Sequence, residues 1–341
     1  MAVLGATGTV GQRFIHLMEH HPWFEVTEVL ASDQSAGKSY AEAIGSRWKL
    51  PSAIPASVAR LKVKRPGDRL ASKVLFSSLD ASVAGEVEEH YARAGHFVSS
   101  NARNHRMAPD VPLVIPEVNR DHFEMLDRQH YGGGGIVTNP NCSTIVIAMA
   151  LAPLHRAFGV EQVIVTTFQA ASGAGYPGVP SLDILGNVIP YIAGEEAKME
   201  SETHKILGRI GKKGFEPADF ALSANCHRVP VLDGHLVAAS VKFAHRPTRK
   251  SLVAALTGFR PLAKLALPSA PPIPILVREE DDRPQPRLDA DAAGGMGVTL
   301  GRLRSCSVLD WKFDALGHNV VRGAAGAAIL NAEVLVREGR I

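Results

Sequence analysis

Cysteine is scarce. Cys142, Cys226 and Cys306 are the only three in 341 residues, widely spaced and without a Cys-x-x-Cys pair. An odd, scattered set argues against both a disulfide framework and a zinc site, so the expectation is a reducing, cytoplasmic setting with no bound metal. Aromatic residues are few, at 6%, which leaves little on which to stack nucleobases. Excess charge of one sign is also missing. The net charge is +3, and basic residues cluster only briefly, from Lys62 to Arg69 and from Arg246 to Lys250. A small-molecule partner is therefore expected rather than nucleic acid. No uncharged apolar run approaches the ~18 to 20 residues that cross a membrane. No basic stretch followed by an apolar one opens the chain as a leader would. No membrane partner is expected.

What is present is ordinary for a globular protein, with 45% hydrophobic and 21% charged residues. The length exceeds one ordinary core and points to two domains.

The chain runs from Met1-Ala2-Val3-Leu4 into Gly5-Ala6-Thr7-Gly8-Thr9-Val10-Gly11, and Phe14, Ile15 and Met18 follow at helical spacing. Strand, glycine turn and helix make the first unit of a Rossmann domain. Gly5, Thr7, Gly8, Thr9 and Val10 would then approach a dinucleotide pyrophosphate at the helix start. The spacing is GxxGxxG rather than the commoner GxGxxG, and glycine turns also serve structure alone. A second strand, Phe24 to Leu30, leads to Ala31-Ser32-Asp33-Gln34-Ser35-Ala36-Gly37-Lys38. Ser32, Ser35 and Lys38 suit a 2′-phosphate and favour NADP. Asp33, if turned inward, suits the free ribose of NAD. Val74 to Phe76 is a third apolar run, ending in Ser77-Ser78. A helix is expected over Ala81 to Ala94. A strand over His96 to Asn101 follows, with its polar end where open α/β sheets bind ligands. These alternations predict an α/β fold with a doubly wound parallel sheet.

Asn139-Pro140-Asn141-Cys142-Ser143-Thr144 is the stretch around which the chain is organised. Gly132 to Gly135 and a short strand, Ile136 to Thr138, precede it, and the uncharged segment Ile145 to Leu154 follows. This predicts a tight turn and a helix starting close to Cys142. A thiol there lies beside unpaired N–H groups and the positive end of the helix dipole, which favour thiolate. The alternative is an inert buried cysteine. Beyond it, Gln162 to Phe168 reads as a strand running into the small-residue loop Gln169 to Gly175, and Glu195 to Leu207 as a helix. Arg228 to Val231 and Leu236 to Phe243 read as strands around the turn Asp233-Gly234. Pro268 to Pro274 and Asp281 to Pro286 are irregular and suit a contact between subunits. Gly301 to Leu309 is expected as the last strand, Trp311 to Asn319 as a loop, and Val321 to Val336 as a closing helix.

Five groups carry potential chemistry: Cys142, Gln169, the pair Glu195 and Lys198, the pair Arg228 and His235, and Arg106. Each also has a plain structural reading. Glu195 and Lys198 form a solvated i,i+3 pair, His235 is a turn histidine, and Arg228 is an ion-pair partner. Taken together beside a nicotinamide they describe one reaction class. A thiolate adds to an aldehyde, hydride leaves for the cofactor, and a second nucleophile takes the acyl group from the thioester. If Arg106 and Lys198 bind phosphate, the product is an acyl phosphate.

The sequence resembles aspartate-semialdehyde dehydrogenase of the archaeal and fungal branch. The likeness runs through Gly5 to Gly11, Ser35 to Lys38, Ser100 to Ala102, Asp110 to Asn119, Asn139 to Thr144, Gln169 to Gly175, Gly194 to Glu196, Arg228 to Val231, Arg283 to Arg287, Gly317 to Asn319 and Arg322 to Gly326. The resemblance implies a Rossmann domain over 1–141 and 318–341 and an α+β catalytic and dimerisation domain over 142–317, in a homodimer or homotetramer. It implies Cys142 as acyl-thiol nucleophile, His235 as general acid/base and Gln169 as orienting group. Arg228 would bind the substrate carboxylate, Glu195 or its neighbour Glu196 the ammonium group, and Lys198 and Arg106 phosphate, near Asn101. Ser77, Ser78, Ser172, Gly173 and Asn319 would help to hold NADP. Gln34 departs from the branch, which often carries a basic residue there. The implied reaction interconverts aspartate semialdehyde and 4-aspartyl phosphate for lysine, threonine and methionine synthesis. A malonyl-CoA-type reductase, an acylglutamyl-phosphate reductase and a non-enzymatic redox sensor are the rivals. A short-chain reductase fails because none of the five tyrosines has lysine four residues on.

Overall fold

A computed structural model describes residues 1–341. Six parallel strands form the first sheet: β1 (Ala2–Leu4), β2 (Glu28–Leu30), β3 (Val63–Lys64), β4 (Val74–Ser77), β5 (Phe97–Ser100) and β6 (Gly135–Thr138). Their order is β3-β2-β1-β4-β5-β6, so the chain reverses direction across the sheet between β1 and β4. A ligand crevice forms at such a switch point. The strands are short apolar runs because helices cover both faces. At the end of β1 the chain turns at Gly5, with φ +74°, into the helix Thr9–Leu17. A Cβ on Gly11 would lie 2.3 Å from the Gly5 carbonyl oxygen, which is why that helix packs so closely on the turn.

The second sheet is mixed. Its order is β10 (Ala221–Arg228), β7 (Val160–Gln169), β11 (His235–Phe243), β14 (Trp311–Gly317), β13 (Val298–Ser305) and β12 (Ile275–Val277). Strands β8 (Arg209–Gly211) and β9 (Gly214–Glu216) form a separate hairpin. The helix Cys142–Phe158 lies between the sheets, and residues 143 to 154 are all buried. An all-round apolar helix must be interior. One flank packs on β7, β11 and β14, the other on Pro116–Asn119 and Val321–Ala325. The helix Gly326–Arg337 then returns to the first sheet, where Ala328, Ile329 and Ala332 join its core.

Several expectations are corrected. Trp311–Gly317 is a central strand rather than a loop, built on the alternation Trp311, Phe313, Ala315 against Lys312 and Asp314. The strand expected from Gly301 begins at Val298, stops at Ser305 and is not the last. Arg228 ends a strand instead of starting one. The second strand keeps only Glu28–Leu30, and the closing helix opens with a π turn. No helix is long and apolar enough to cross a membrane.

Candidate active site

One rim of the second sheet gathers the polar residues. Parallel β7 and β10 end in register at Gln169 and Arg228. Antiparallel β11 starts beside them at His235, opposite Gly317 at the end of β14. The chain continues from Gly317 into His318 and Asn319. Gln169, Arg228, His235 and Asn319 are all buried. The first turn of the Cys142 helix meets this rim, which brings the Cys142 sulfur to 3.1 Å from His235 Nε2. A Cβ on Gly323 would lie 2.6 Å from that of Cys142, so the Val321–Ala325 turn presses directly on this cysteine.

Asn141 caps the helix. Its Oδ1 accepts the N–H groups of Ser143 at 3.0 Å and Thr144 at 3.3 Å. The expected preference for thiolate does not prevail in the free protein. Burial, then the Glu195 carboxylate, push the Cys142 thiol up to about 12. Arg106, Arg228 and the Ser143 N–H oppose them. Burial, then Arg228 and His318, push His235 down to about 3. The resting pair is a neutral thiol and a neutral imidazole. The Ala170 N–H donates to His235 Nδ1 at 3.0 Å. The ring proton therefore resides on Nε2 and points at the sulfur.

The helix Glu195–Leu207 supplies the remaining charges. Glu195 Oε1 accepts from Lys198 Nζ at 2.9 Å, and its Oε2 accepts from Asn141 Nδ2 at 2.8 Å and Gln169 Nε2 at 3.4 Å. The i,i+3 pair exists, but it faces inward. Glu196 turns away and accepts the Cys226 N–H. Arg228 is held by the Ala170 carbonyl at 2.8 Å. Arg106 donates to Glu202 at 2.9 Å and to the Asn101 carbonyl at 2.8 Å. Asn101 in turn accepts from Asn139 Nδ2. Arg103, Arg106, Lys198 and Asn141 line a cavity of about 530 Å³ with Ser82, at the start of the helix Ala81–Arg93. Asp80, which caps that helix, also lines the cavity, and three cations against this one carboxylate suit an anion.

A groove of about 880 Å³ opens at the switch point of the first sheet. Gly5, Thr7, Gly8, Thr9, Val10, Ser32, Asp33 and Ser78 line it, with Ala174 to Tyr176 closing it from the second sheet's side. The glycine turn leaves no room for side chains there: a Cβ on Gly5 would lie 2.6 Å from the Ser78 carbonyl oxygen. The donor set and the close turn fit a dinucleotide. Asn319 donates to Ser172 Oγ at 2.8 Å and accepts the Gly234 N–H, which joins the loop of Ser172 and Gly173 to the His235 turn. Six expected residues lie off the groove wall: Ser172, Gly173 and Asn319 in that neighbouring network, and Ser35, Lys38 and Ser77. Ser77 is buried and donates to Glu88, Ser35 is buried, and Lys38 Nζ donates to the Gln34 carbonyl. No group of three or more His, Cys, Asp or Glu side chains is placed to hold a metal ion.

A family model described as semialdehyde dehydrogenase, NAD binding domain, matches residues 1–126, and one described as the dimerisation domain matches residues 151–322. An aspartate-semialdehyde dehydrogenase of Archaeoglobus fulgidus is 48% identical, over 99% of this chain and 98% of that protein. The Schizosaccharomyces pombe enzyme of the same name is 47% identical, with the same coverage. The chain belongs to the aspartate-semialdehyde dehydrogenase family. Among solved structures, aspartate-semialdehyde dehydrogenase of Candida albicans with NADP matches with a TM-score of 0.91 at 43% identity, over 100% of this chain and 99% of that one.

Against the resemblance to aspartate-semialdehyde dehydrogenase, four residues went unread in the sequence. Arg103 is three residues before Arg106, and that spacing was the available signal. Asn141 lies inside the motif and reads as a helix cap. Arg47 lines the dinucleotide groove, and Glu202 lies behind Arg106. Nothing local marks these last two.

Proposed function

We propose that the chain catalyses the NADP-dependent interconversion of 4-aspartyl phosphate with aspartate semialdehyde and phosphate, in amino-acid biosynthesis. The observation that carries this reading is the buried contact of Cys142 with the proton-bearing Nε2 of His235, beside Arg228 and a separate cavity lined by Arg103, Arg106 and Lys198. Residues 1–141 and 318–341 are assigned to cofactor binding, and 142–317 to catalysis and dimerisation.

In the reductive direction, the Cys142 thiol gives up its proton, which passes by way of solvent to the departing phosphate, and its sulfur attacks the acyl carbon of aspartyl phosphate. A C–S bond forms, the C–O bond to phosphate breaks, and phosphate leaves into the cavity of Arg103, Arg106 and Lys198. NADPH supplies the hydride when bound. His235 Nε2–H is placed to donate to the acyl oxygen, where negative charge would develop on reduction. Collapse breaks the C–S bond, releases the aldehyde and returns the electron pair to sulfur. His235 then stabilises the sulfur anion, so a neutral donor serves both ends of the step. Arg228 holds the α-carboxylate as a fork, Glu195 takes the ammonium group, and Gln169 orients the acyl oxygen. An ammonium group beside Glu195 offsets the carboxylate that disfavours thiolate, so substrate binding itself activates the nucleophile.

Self-association through the second sheet's domain is supported by exposed Leu182, Leu185, Val188 and Tyr191, and a cytoplasmic location by three free cysteines. The test of the reaction is Cys142→Ser. Loss of phosphate-dependent NADP reduction in folded protein is expected, and its retention removes the thioester route.

A further inference from the structure

Glu195, Lys198, Glu202 and Lys205 recur along one face of a single helix. Three of them serve the site or its supporting loop in plain view. Lys205 Nζ ties down the Arg106 segment through the carbonyls of Arg106, Ala108 and Val111. Glu202 is different: it is 2% exposed and lines neither cavity. Both of its oxygens are nevertheless committed to the site. Oε1 accepts from Arg106 Nη1 at 2.9 Å, and Oε2 accepts the Asn141 N–H at 2.6 Å.

The second bond answers a backbone demand. In a capping box the cap residue's own N–H is taken by an acidic side chain at the third helical position. In the Cys142 helix that position is Thr144, whose hydroxyl has no partner. Glu202 supplies the missing acceptor from another helix. With the same carboxylate it fixes the guanidinium that lines the phosphate cavity.

We propose that Glu202 is a positioning residue that locks the phosphate-binding Arg106 and the backbone carrying Cys142 into one frame. Phosphate attacking the thioester must approach the acyl carbon from one face of its carbonyl plane, and small misplacements there are costly in rate. The inference rests on the phosphorylating reaction proposed above.

The test measures the KM of phosphate and of aspartate semialdehyde in wild type, Glu202→Gln, Arg106→Lys and the double variant. Glu202→Gln is expected to raise the phosphate KM by about tenfold or more. The semialdehyde KM should stay within about threefold, because Arg228 is held at the end of β10 by the Ala170 carbonyl and makes no bond to Glu202. The double variant should be no worse than Arg106→Lys alone, since one residue acts through the other. A purely structural glutamate would give multiplying effects. A phosphate KM unchanged or lowered in Glu202→Gln, or effects that multiply, overturns the proposal. Should Glu202→Gln not fold, Glu202→Asp keeps the charge but shortens its reach. It is expected to show the same rise, and a wild-type phosphate KM overturns the proposal. Wild-type turnover that ignores phosphate would instead refute the phosphorylating reaction, and this inference with it.

Discussion

At the scale of single residues, burial dominates the protonation of Cys142 and His235, and at Cys142 it outweighs the helix start. With the Cys142 thiol pushed up to about 12, only a small and pH-dependent thiolate fraction is present near neutrality. Alkylation of the free enzyme by iodoacetamide should therefore rise about tenfold per pH unit across the neutral range. A plateau beginning near pH 7 would indicate a thiolate–imidazolium pair instead. His235, pushed down to about 3, is neutral throughout this range. Turnover should show no histidine ionisation between about pH 5 and 8, and His235→Ala should lower kcat by about 10² to 10³, the loss of one oxyanion donor. A limb near the ordinary histidine value would restore a proton-transferring role. Arg228→Lys should raise the semialdehyde KM because the bidentate fork is lost, and an unchanged KM would remove carboxylate binding from that residue.

At the scale of elements, the start of the Cys142 helix was legible because its cues are local. A glycine run, a short strand, the turn around Cys142 and an uncharged segment stand side by side in the chain. The glycine turn after β1 was legible for the same reason. The rim that unites Gln169, Arg228 and His235 was not, because it depends on β10 pairing parallel and β11 antiparallel to β7. Pairing between strands about 60 residues apart leaves no local pattern. Trp311–Gly317 does not show as a strand in the sequence for a related reason. Its alternation is interrupted by buried Leu316, and only the neighbours on both sides make it a strand. The cap itself can be tested. Asn141→Ala should cost about 0.5 to 2 kcal/mol of stability in a thermal or denaturant melt. It should cost activity as well, since Glu195 also loses its Nδ2 donor. Wild-type stability and turnover in that variant would show that the Glu202 bond alone holds the turn.

At the scale of the molecule, the Cys142 helix joins two sheets into one machine. Arg322, just after Asn319, makes a two-pronged ion pair with Glu117 at 2.8 Å for each prong, entirely inside the protein. Breaking such a pair from one side costs about 3 to 5 kcal/mol. Glu117→Gln should therefore lower the melting temperature clearly, and an unchanged melt would mean that the pair does not anchor the returning C-terminal segment. Asn141, next to Cys142, lines the cavity of Arg103, Arg106 and Lys198, and the loop that follows Gln169 closes the dinucleotide groove, so both cavities abut the segments that carry the proposed catalytic residues. The most direct measurement follows NADPH formation from aspartate semialdehyde and NADP, with and without phosphate, and again with NAD. Sustained turnover is expected only with phosphate, and faster with NADP than with NAD. Without phosphate, NADPH should appear in a burst of about one equivalent per active site as the thioester accumulates. Sustained NADPH formation in the absence of phosphate would contradict the account.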